Sequence, residues 1–302
     1  MPAPFFPLRP VTAPFALALL SLDGVGRVTA HRVLERFPTL DDVRATPREQ
    51  VLLRLKGAPH AERTVETLFD DGAMAAATAR AGEVVEALGR KRVRVLAPGD
   101  EAWPAALGAL DRSDRPVVLY VYGDPAALSR RALAVLARAP IGGDDFEATQ
   151  AIARRALRRG VGLVTSAEDG VDVALQKLAA GADVPVVAVM AAGLARLAPS
   201  LRPAATALVR AGGALVSPFP MTHGPFEHDA RERALVQAAL GTAVCAVAPA
   251  AGSAEARAAE WAAEAGRPLA LLPPAPPDAA WAADALVVSA PQHHEAAAAL
   301  AG

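Results

Sequence analysis

Residues 132–166 read ALAVLARAPIGGDDFEATQAIARRALRRGVGLVTS. Two short apolar runs, ALAVLA (132–137) and VGLVTS (161–166), bracket DDFEATQAIARRALRRG (144–160), whose apolar residues recur at spacings of three and four. A strand apolar on both faces, a helix and a second such strand are the sequence form of a βαβ unit in a parallel sheet covered on each side. The same rhythm extends outward. VRVLA (93–97) and VVLYVYG (117–123) precede the unit. PVVAVMAAG (185–193), GALVSPF (213–219), TAVCAVAPA (242–250), PLALLP (268–273) and DALVVS (284–289) follow it, with GSAEARAAEWAAEAG (252–266) as a further helix. We therefore expect an α/β fold over residues 89–302, a Rossmann-like, doubly wound and mostly parallel sheet. EAAAALAG at the end reads as a terminal helix of no evident chemistry.

Before residue 89 the pattern is helical. FALALLSL (15–22), TAHRVLERF (29–37), PREQVLLRLK (47–56) and the long stretch from Ala61 carry helical apolar spacing, punctuated at GVG, PTLDD and KGAPH. Residues 1–88 are expected to form a small all-helical domain, and 302 residues accommodate two domains of this size. The 31 basic and 32 acidic residues give a formal charge of −1, which excludes a chain coated in basic groups for nucleic acid or anionic lipid. Only Lys56, Lys91 and Lys177 are lysines, so arginine supplies nearly all the positive charge. The lone Cys245 excludes an internal disulfide, and its apolar neighbours read as a core strand. No apolar run has the length of a membrane span, and FALALLSL is followed by Asp23-Gly24 rather than a cleavage site. A cytoplasmic protein is expected.

Several turns carry residues suited to anions. LDGVGRVTAHRVLERF (22–37) resembles a helix-hairpin-helix, in which Gly24 and Gly26 turn the backbone and present amides at a helix start, with Arg27 and Arg32 nearby. A plain helical hairpin is the alternative. Gly142-Gly143 precedes a helix, but Asp144 with Glu147 suggests a capping box that occupies the same amides. Thr165, Ser166 and Gly170 suit a phosphate loop, whereas Glu168, Asp169 and Asp172 bring acid to it. Arg154, Arg155, Arg158 and Arg159 form a stripe, either solvated or a phosphate track. Arg231 and Arg233 open a helix and Gly252-Ser253 open the next; together they grip an anion, or the arginines pair with Glu227, Asp229 and Glu232. His293-His294-Glu295 lacks metal-ligand spacing, and His223 and His228 are loop histidines with no nucleophile in their motif. No catalytic set, cofactor or metal is expected.

In order along the chain these segments resemble the DNA-processing protein A family (DprA, also called Smf). The likeness rests on the GVG hairpin, AWPAAL (102–107), RPVVLYVYGDPAAL (115–128), DGVDVAL (169–175), GALVSPFP (213–220), RERALVQAAL (231–240) and AGSAEARAAEWAAEAGRPLALLPP (251–274). It implies an extended Rossmann domain behind a helix-hairpin-helix (SAM-like) domain. It also implies single-stranded DNA binding, loading of a RecA-type recombinase in natural transformation, and homodimerisation without catalysis. Taken with the turns above, the expected DNA- or phosphate-binding positions are Gly24, Gly26, Arg27, Arg138, Thr165, Ser166, Gly170, Arg231, Arg233, Gly252 and Ser253. This chain departs from the family pattern at several of them. Ala137-Arg138-Ala139 stands where members have Gly-Ser-Arg, and Thr165-Ser166-Ala167-Glu168 where they have Ser-Gly-Leu-Ala. Gln176 replaces a histidine, Glu232 an asparagine and Pro185 a lysine, and the winged-helix domain of many members is not expected here. These departures imply a weakened anion pocket. Two alternatives are a degenerate homologue acting as an interaction scaffold and a Rossmann-like nucleotide phosphoribohydrolase, faintly echoed by PIGGDDFEAT (140–149).

Overall fold

A computed structural model describes residues 10–138, 140–168, 170–182 and 184–302. The chain divides into two compact units, Met1–Trp103 with Arg115–Leu119, and Pro104–Asp114 with Tyr120–Gly302.

Among the described residues the first unit holds six helices: α1 (Ala13–Ser21), α2 (Arg27–Leu34), α3 (Leu40–Arg44), α4 (Arg48–Arg54), α5 (Ala61–Leu68) and α6 (Asp71–Arg90), followed by strand β1 (Val93–Leu96). Short polar residues start them where the sequence offers a side-chain oxygen. Thr12 caps α1, Asp70 caps α6 by accepting from the Ala73 amide at 2.9 Å, and Thr39 and Asp42 form a reciprocal box on α3. The core is aliphatic, with Leu19, Val33, Val51, Leu55 and Leu68 fully buried around Phe37 and Met74. Between α1 and α2 the chain turns through Gly24, whose φ of +78° is in the left-handed region that favours glycine. Gly26 then occupies the N-cap of α2 with an ordinary φ of −82°. His31 on α2 is buried, with Nε2 3.0 Å from the Arg115 carbonyl, and burial lowers its pKa.

The second unit is a sheet whose strands run β2 (Leu119–Gly123), β3 (Ala132–Leu136), β4 (Gly162–Ser166), β5 (Val186–Val189), β6 (Ala214–Ser217), β7 (Ala243–Val247), β8 (Leu269–Leu272) and β9 (Leu286–Val287) along the chain. In space the order is β2-β6-β5-β4-β3-β7-β8-β9. All neighbouring pairs are parallel except β2 with β6, where Tyr120 lies opposite Ser217. The crossovers are α7 (Gly143–Arg158), α8 (Val171–Ala179), α9 (Arg202–Arg210), α10 (Asp229–Leu240) and α11 (Ala254–Glu264), and α12 (His293–Ala299) ends the chain. Every apolar run read as a strand forms one, although DALVVS pairs only over Leu286–Val287. From β3 the chain winds outward through β4, β5 and β6, then returns to lay β7 on the other side of β3. The strand order therefore reverses between β3 and β7, which is where such sheets open a crevice at their carboxyl ends.

The centre of this unit is built from small residues. From Arg233 to Leu240, α10 is buried continuously, and Ala234, Ala238 and Ala239 let it lie close to the sheet. At its exit a Cβ on Gly241 would come within 2.7 Å of the Ala134 Cβ, so glycine is required by close approach. Cys245 is buried in β7, where desolvation raises its thiol pKa to about 12, as suits an inert core thiol.

One local expectation needs correction. The box between Asp144 and Glu147 does not form: α7 begins at Gly143, its N-cap is Gly142, and no side chain caps it. A box requires a side-chain oxygen at the N-cap, and the register places Asp144 and Asp145 inside the first turn instead, where they face the positive helix end. Of the arginine stripe on α7, Arg154 bonds Gln150 and the other three share one carboxylate. Arg155 meets Glu295 of α12 at 2.8 Å, with Arg159 at 3.4 Å and Arg158 at 3.8 Å, so this stripe fastens the terminal helix. No helix among the described residues is long and apolar enough to cross a membrane.

Candidate functional site

At the reversal between β3 and β7 lies a cleft of about 770 Å³. Arg138, just past β3, stands exposed on one wall, and Glu168, just past β4, on another. The turn Ala251–Ser253 and the first residues of α11 close a third side, and Glu227, Arg231 and Arg233 reach it from the start of α10. Pro276, Pro277 and Trp281 form the outer rim.

The charges of this cleft are nearly balanced. Arg138, Arg231, Arg233 and Arg257 oppose Glu168, Glu227, Glu255, Glu260 and Asp278. Several are already engaged. Arg233 is only 2% exposed; its Nη2 donates to Glu255 Oε1 at 2.7 Å and its Nη1 to Gln237 Oε1 at 2.8 Å, while Glu168 Oε1 lies at 3.6 Å. Gln237 Nε2 in turn donates to the carbonyls of Val135 and Val164, fixing α10 to the ends of β3 and β4. Arg233 is thus an internal ion-pair residue, and Glu255 rather than Glu227, Asp229 or Glu232 is its partner. Arg231 differs: it is 54% exposed and meets Asp114 at 3.5 Å. Arg257 is held by Glu260.

Thr165 and Ser166 lie under the floor, both buried. Thr165 Oγ1 donates to the Ser166 carbonyl at 2.9 Å, and Gln176 Nε2 donates to Thr165 Oγ1 and to the same carbonyl. Asp172 accepts from the Ser166 amide at 3.1 Å and from the Ser166 hydroxyl. Burial raises the Asp172 pKa to about 7, opposed by the Ser166 hydrogen bond and the Arg233 charge and assisted by Glu168. The sequence thus presents a phosphate-loop composition whose hydroxyls are committed to an internal network. Gly170 starts α8 with φ +86° and no side-chain cap. Gly252 has φ +69°, and Ser253 caps α11 by accepting from the Ala256 amide at 3.0 Å. Gly24, Gly26 and Arg27 belong to the first unit, where Gly26 opens α2 without a side-chain cap. Ala139 and Asp169 lie outside the described residues.

In the loop between β6 and α10, sequence reasoning named His223, His228 and Asp229 but missed that they form one cluster. Asp229 is fully buried; its Oδ1 lies 3.0 Å from His223 Nε2 and 3.3 Å from His228 Nε2, and its Oδ2 accepts the Phe226 amide at 2.8 Å. Only a residue-spacing signal, the HxxxxxD separation of His223 and Asp229, was available, and it carries no specificity. Among the described residues no group of three or more His, Cys, Asp or Glu is arranged to hold a metal ion.

A mostly parallel, doubly wound sheet with a charged cleft at its strand-order reversal is the architecture of a Rossmann-like ligand-binding protein. Residues 94–291 match the family model described as DNA recombination-mediator protein A, and the chain belongs to that family. Its structure is similar to that of DNA processing protein A from Streptococcus pneumoniae, with 17% identity, a TM-score of 0.66, and coverage of 94% of this chain and 96% of that one. It is also similar to DNA processing protein A from Helicobacter pylori, a structure described for its single-stranded DNA binding mode, with 19% identity, a TM-score of 0.56, and coverage of 68% and 94%. At these identities the likeness establishes the fold. No curated protein matches the chain.

Proposed function

We propose that this protein binds single-stranded DNA in the cleft between β3 and β7 and, as a homodimer in the cytoplasm, passes it to a RecA-type recombinase without chemical turnover. The observation that supports this reading is the exposed Arg231 on the cleft wall, with Arg138 beside the same opening, in a chain of the recombination-mediator family. Exposed guanidiniums at a strand-end crevice suit phosphate. The turn at Gly252-Ser253 and the helix start at Gly170 would add backbone amides, whereas Thr165, Ser166 and Arg233 would support the floor; Gly24, Gly26 and Arg27 would make a separate contact within the first unit. A second reading, an interaction scaffold without DNA, draws on the five carboxylates that face the four guanidiniums of the cleft.

Fluorescence anisotropy of a labelled thymidine strand across a salt series separates the two. DNA binding requires a log-linear salt dependence, and each phosphate contact to a single strand contributes a slope of about −0.7. Arg231→Ala is expected to weaken binding and flatten the slope by roughly that amount. No binding by the wild-type protein at low salt overturns the DNA reading and leaves the scaffold.

A further inference from the structure

Phe226 is the only exposed Phe, Tyr or Trp among the described residues, with 56% of its surface in water, in a chain that is 4% aromatic. It is not a loose side chain. A ladder of rings supports it from the interior: buried Phe219 stacks on His223 at 4.6 Å with 4° between planes, and His223 meets the Phe226 ring edge-on at 5.1 Å. Phe226 then stacks on His228 at 5.8 Å and 5°, and the His228 side chain is 80% exposed. Buried Asp229 ties the two imidazoles and the Phe226 amide together. The loop below is pinned as well. The Gly193 amide donates to the His223 carbonyl, the Ala195 amide to Met221, and Arg196 Nε to the Thr222 carbonyl. A Cβ on Gly193 would fall 2.0 Å from the Pro220 carbonyl oxygen, so the two backbones touch.

A ring held rigidly in water costs stability, because burying a phenylalanine is worth about 1.5–3 kcal/mol. The position of this ring says what would cover it. Glu227, between the two outermost rings, and Arg231, one turn beyond His228, both line the cleft. Phe226 and His228 flank Glu227 in the chain, outside the cleft lining, and His228 stands three residues before the exposed Arg231, which sets a flat apolar surface beside a cation along the chain. That combination fits a nucleotide, with its base on the rings and its phosphate at Arg231.

Resting on the DNA reading above, we propose that Phe226 and His228 form a nucleobase-stacking platform at the rim of the cleft, and that stacking supplies much of the affinity for single-stranded DNA. The balanced charges of the cleft limit what phosphate attraction contributes. Every base has a π-face, so such a platform is tolerant of sequence.

The test compares a labelled thymidine strand with an abasic strand of the same length, which keeps the phosphates and lacks the bases, using the full chain. Wild-type protein is expected to bind the thymidine strand roughly 5- to 150-fold more tightly than the abasic one, the range one stacked base supplies. Phe226→Ala should remove that preference, leave abasic binding and the salt slope unchanged, and melt close to wild type because the ring is exposed. Phe226→Trp should restore binding, and its added fluorescence should be quenched by the thymidine strand. Equal binding of the two strands by wild type, or an undiminished preference in Phe226→Ala, overturns the platform and leaves the DNA reading standing. No binding of either strand at low salt overturns both. Loss of a protein partner alone in Phe226→Ala, with strand preference intact, would assign the rings to that partner and overturn the platform.

Discussion

Replacing Arg233 by methionine isolates the buried ion pair at the cleft floor. Methionine keeps the unbranched stem on α10 and removes the guanidinium. Glu255 is then left 2% exposed with no cation at 2.7 Å, and Asp172 loses the favourable charge that opposes its desolvation. Removing one partner of a buried pair typically costs about 3–5 kcal/mol. For a unit of this size each kcal/mol lowers the melting temperature by roughly 2–4 °C, so a fall of about 6–20 °C is expected. The pair is incompletely satisfied, since Arg233 Nε and Glu255 Oε2 have no hydrogen-bond partner. Removing both charges is therefore much less harmful than removing one, and Arg233→Met with Glu255→Met should recover most of the loss. Circular dichroism melts of wild type, the two single variants and the double variant close the cycle. A second readout decides the role: the double variant should keep the oligonucleotide binding that Arg231→Ala weakens. If Arg233→Met melts within about 2 °C of wild type, less than a single kcal/mol would produce, the internal pairing argued above is wrong. If the double variant folds and binds no oligonucleotide, Arg233 is an anion ligand.

Two further outcomes follow from the same geometry. Asp172 has a folded pKa of about 7 against an ordinary 3.8, so the folded protein holds the extra proton between those values and stability falls as pH rises through that window. At about 1.4 kcal/mol per pH unit the fall is at most ~4 kcal/mol; Asp172→Asn should flatten the change in urea midpoint between about pH 5 and pH 8, and an unchanged pH dependence refutes the assignment. Gly26 has φ −82° and no atom within 4 Å of a built Cβ, so Gly26→Glu should alter stability by no more than about 0.5 kcal/mol. The added charge at the start of α2 should nevertheless weaken strand binding several-fold if those amides hold phosphate; unaltered anisotropy with an unaltered melt assigns the glycine to the turn alone.

The sheet was legible because parallel strands buried on both faces leave uninterrupted Val, Leu and Ala runs, and every such run forms a strand. Direction was not legible: VVLYVYG is as apolar as its neighbours, and only its position beside β6 makes β2 antiparallel. The capping box on α7 failed by register, since Gly142 holds the N-cap where a side-chain oxygen was required. The charged residues failed by distance in sequence. Arg159 finds Glu295 136 residues away and Arg233 finds Glu255 22 residues away, and neither pairing is encoded in a local motif. Phe226 went unread for the opposite reason: nothing local distinguishes an exposed phenylalanine from a core one, and the chain supplies few of either.

The use of arginine explains how a chain of this family carries a balanced cleft. Arginine tolerates burial and pairs in fixed geometry better than lysine, and here it holds elements together: Arg233 joins α10 to α11, and Arg155, Arg158 and Arg159 join α7 to α12. Arg233 faces its own carboxylate, Glu255, so its field is largely cancelled before it reaches a ligand, whereas the three arginines of α7 share Glu295 alone. Arg231 has only a long contact to Asp114 and projects into water at the cleft mouth. A phosphate in the cleft would meet the exposed guanidiniums of Arg231 and Arg138 and a backbone turn instead of a basic groove, and the predicted salt dependence is correspondingly shallow. On the proposed platform the bases supply the remaining affinity for a strand, and His228, stacked on Phe226, stands three residues before Arg231. Neutralising Glu227, which lies between the rings and on the cleft wall, therefore raises strand binding at low salt and leaves the preference for bases over abasic sites in place.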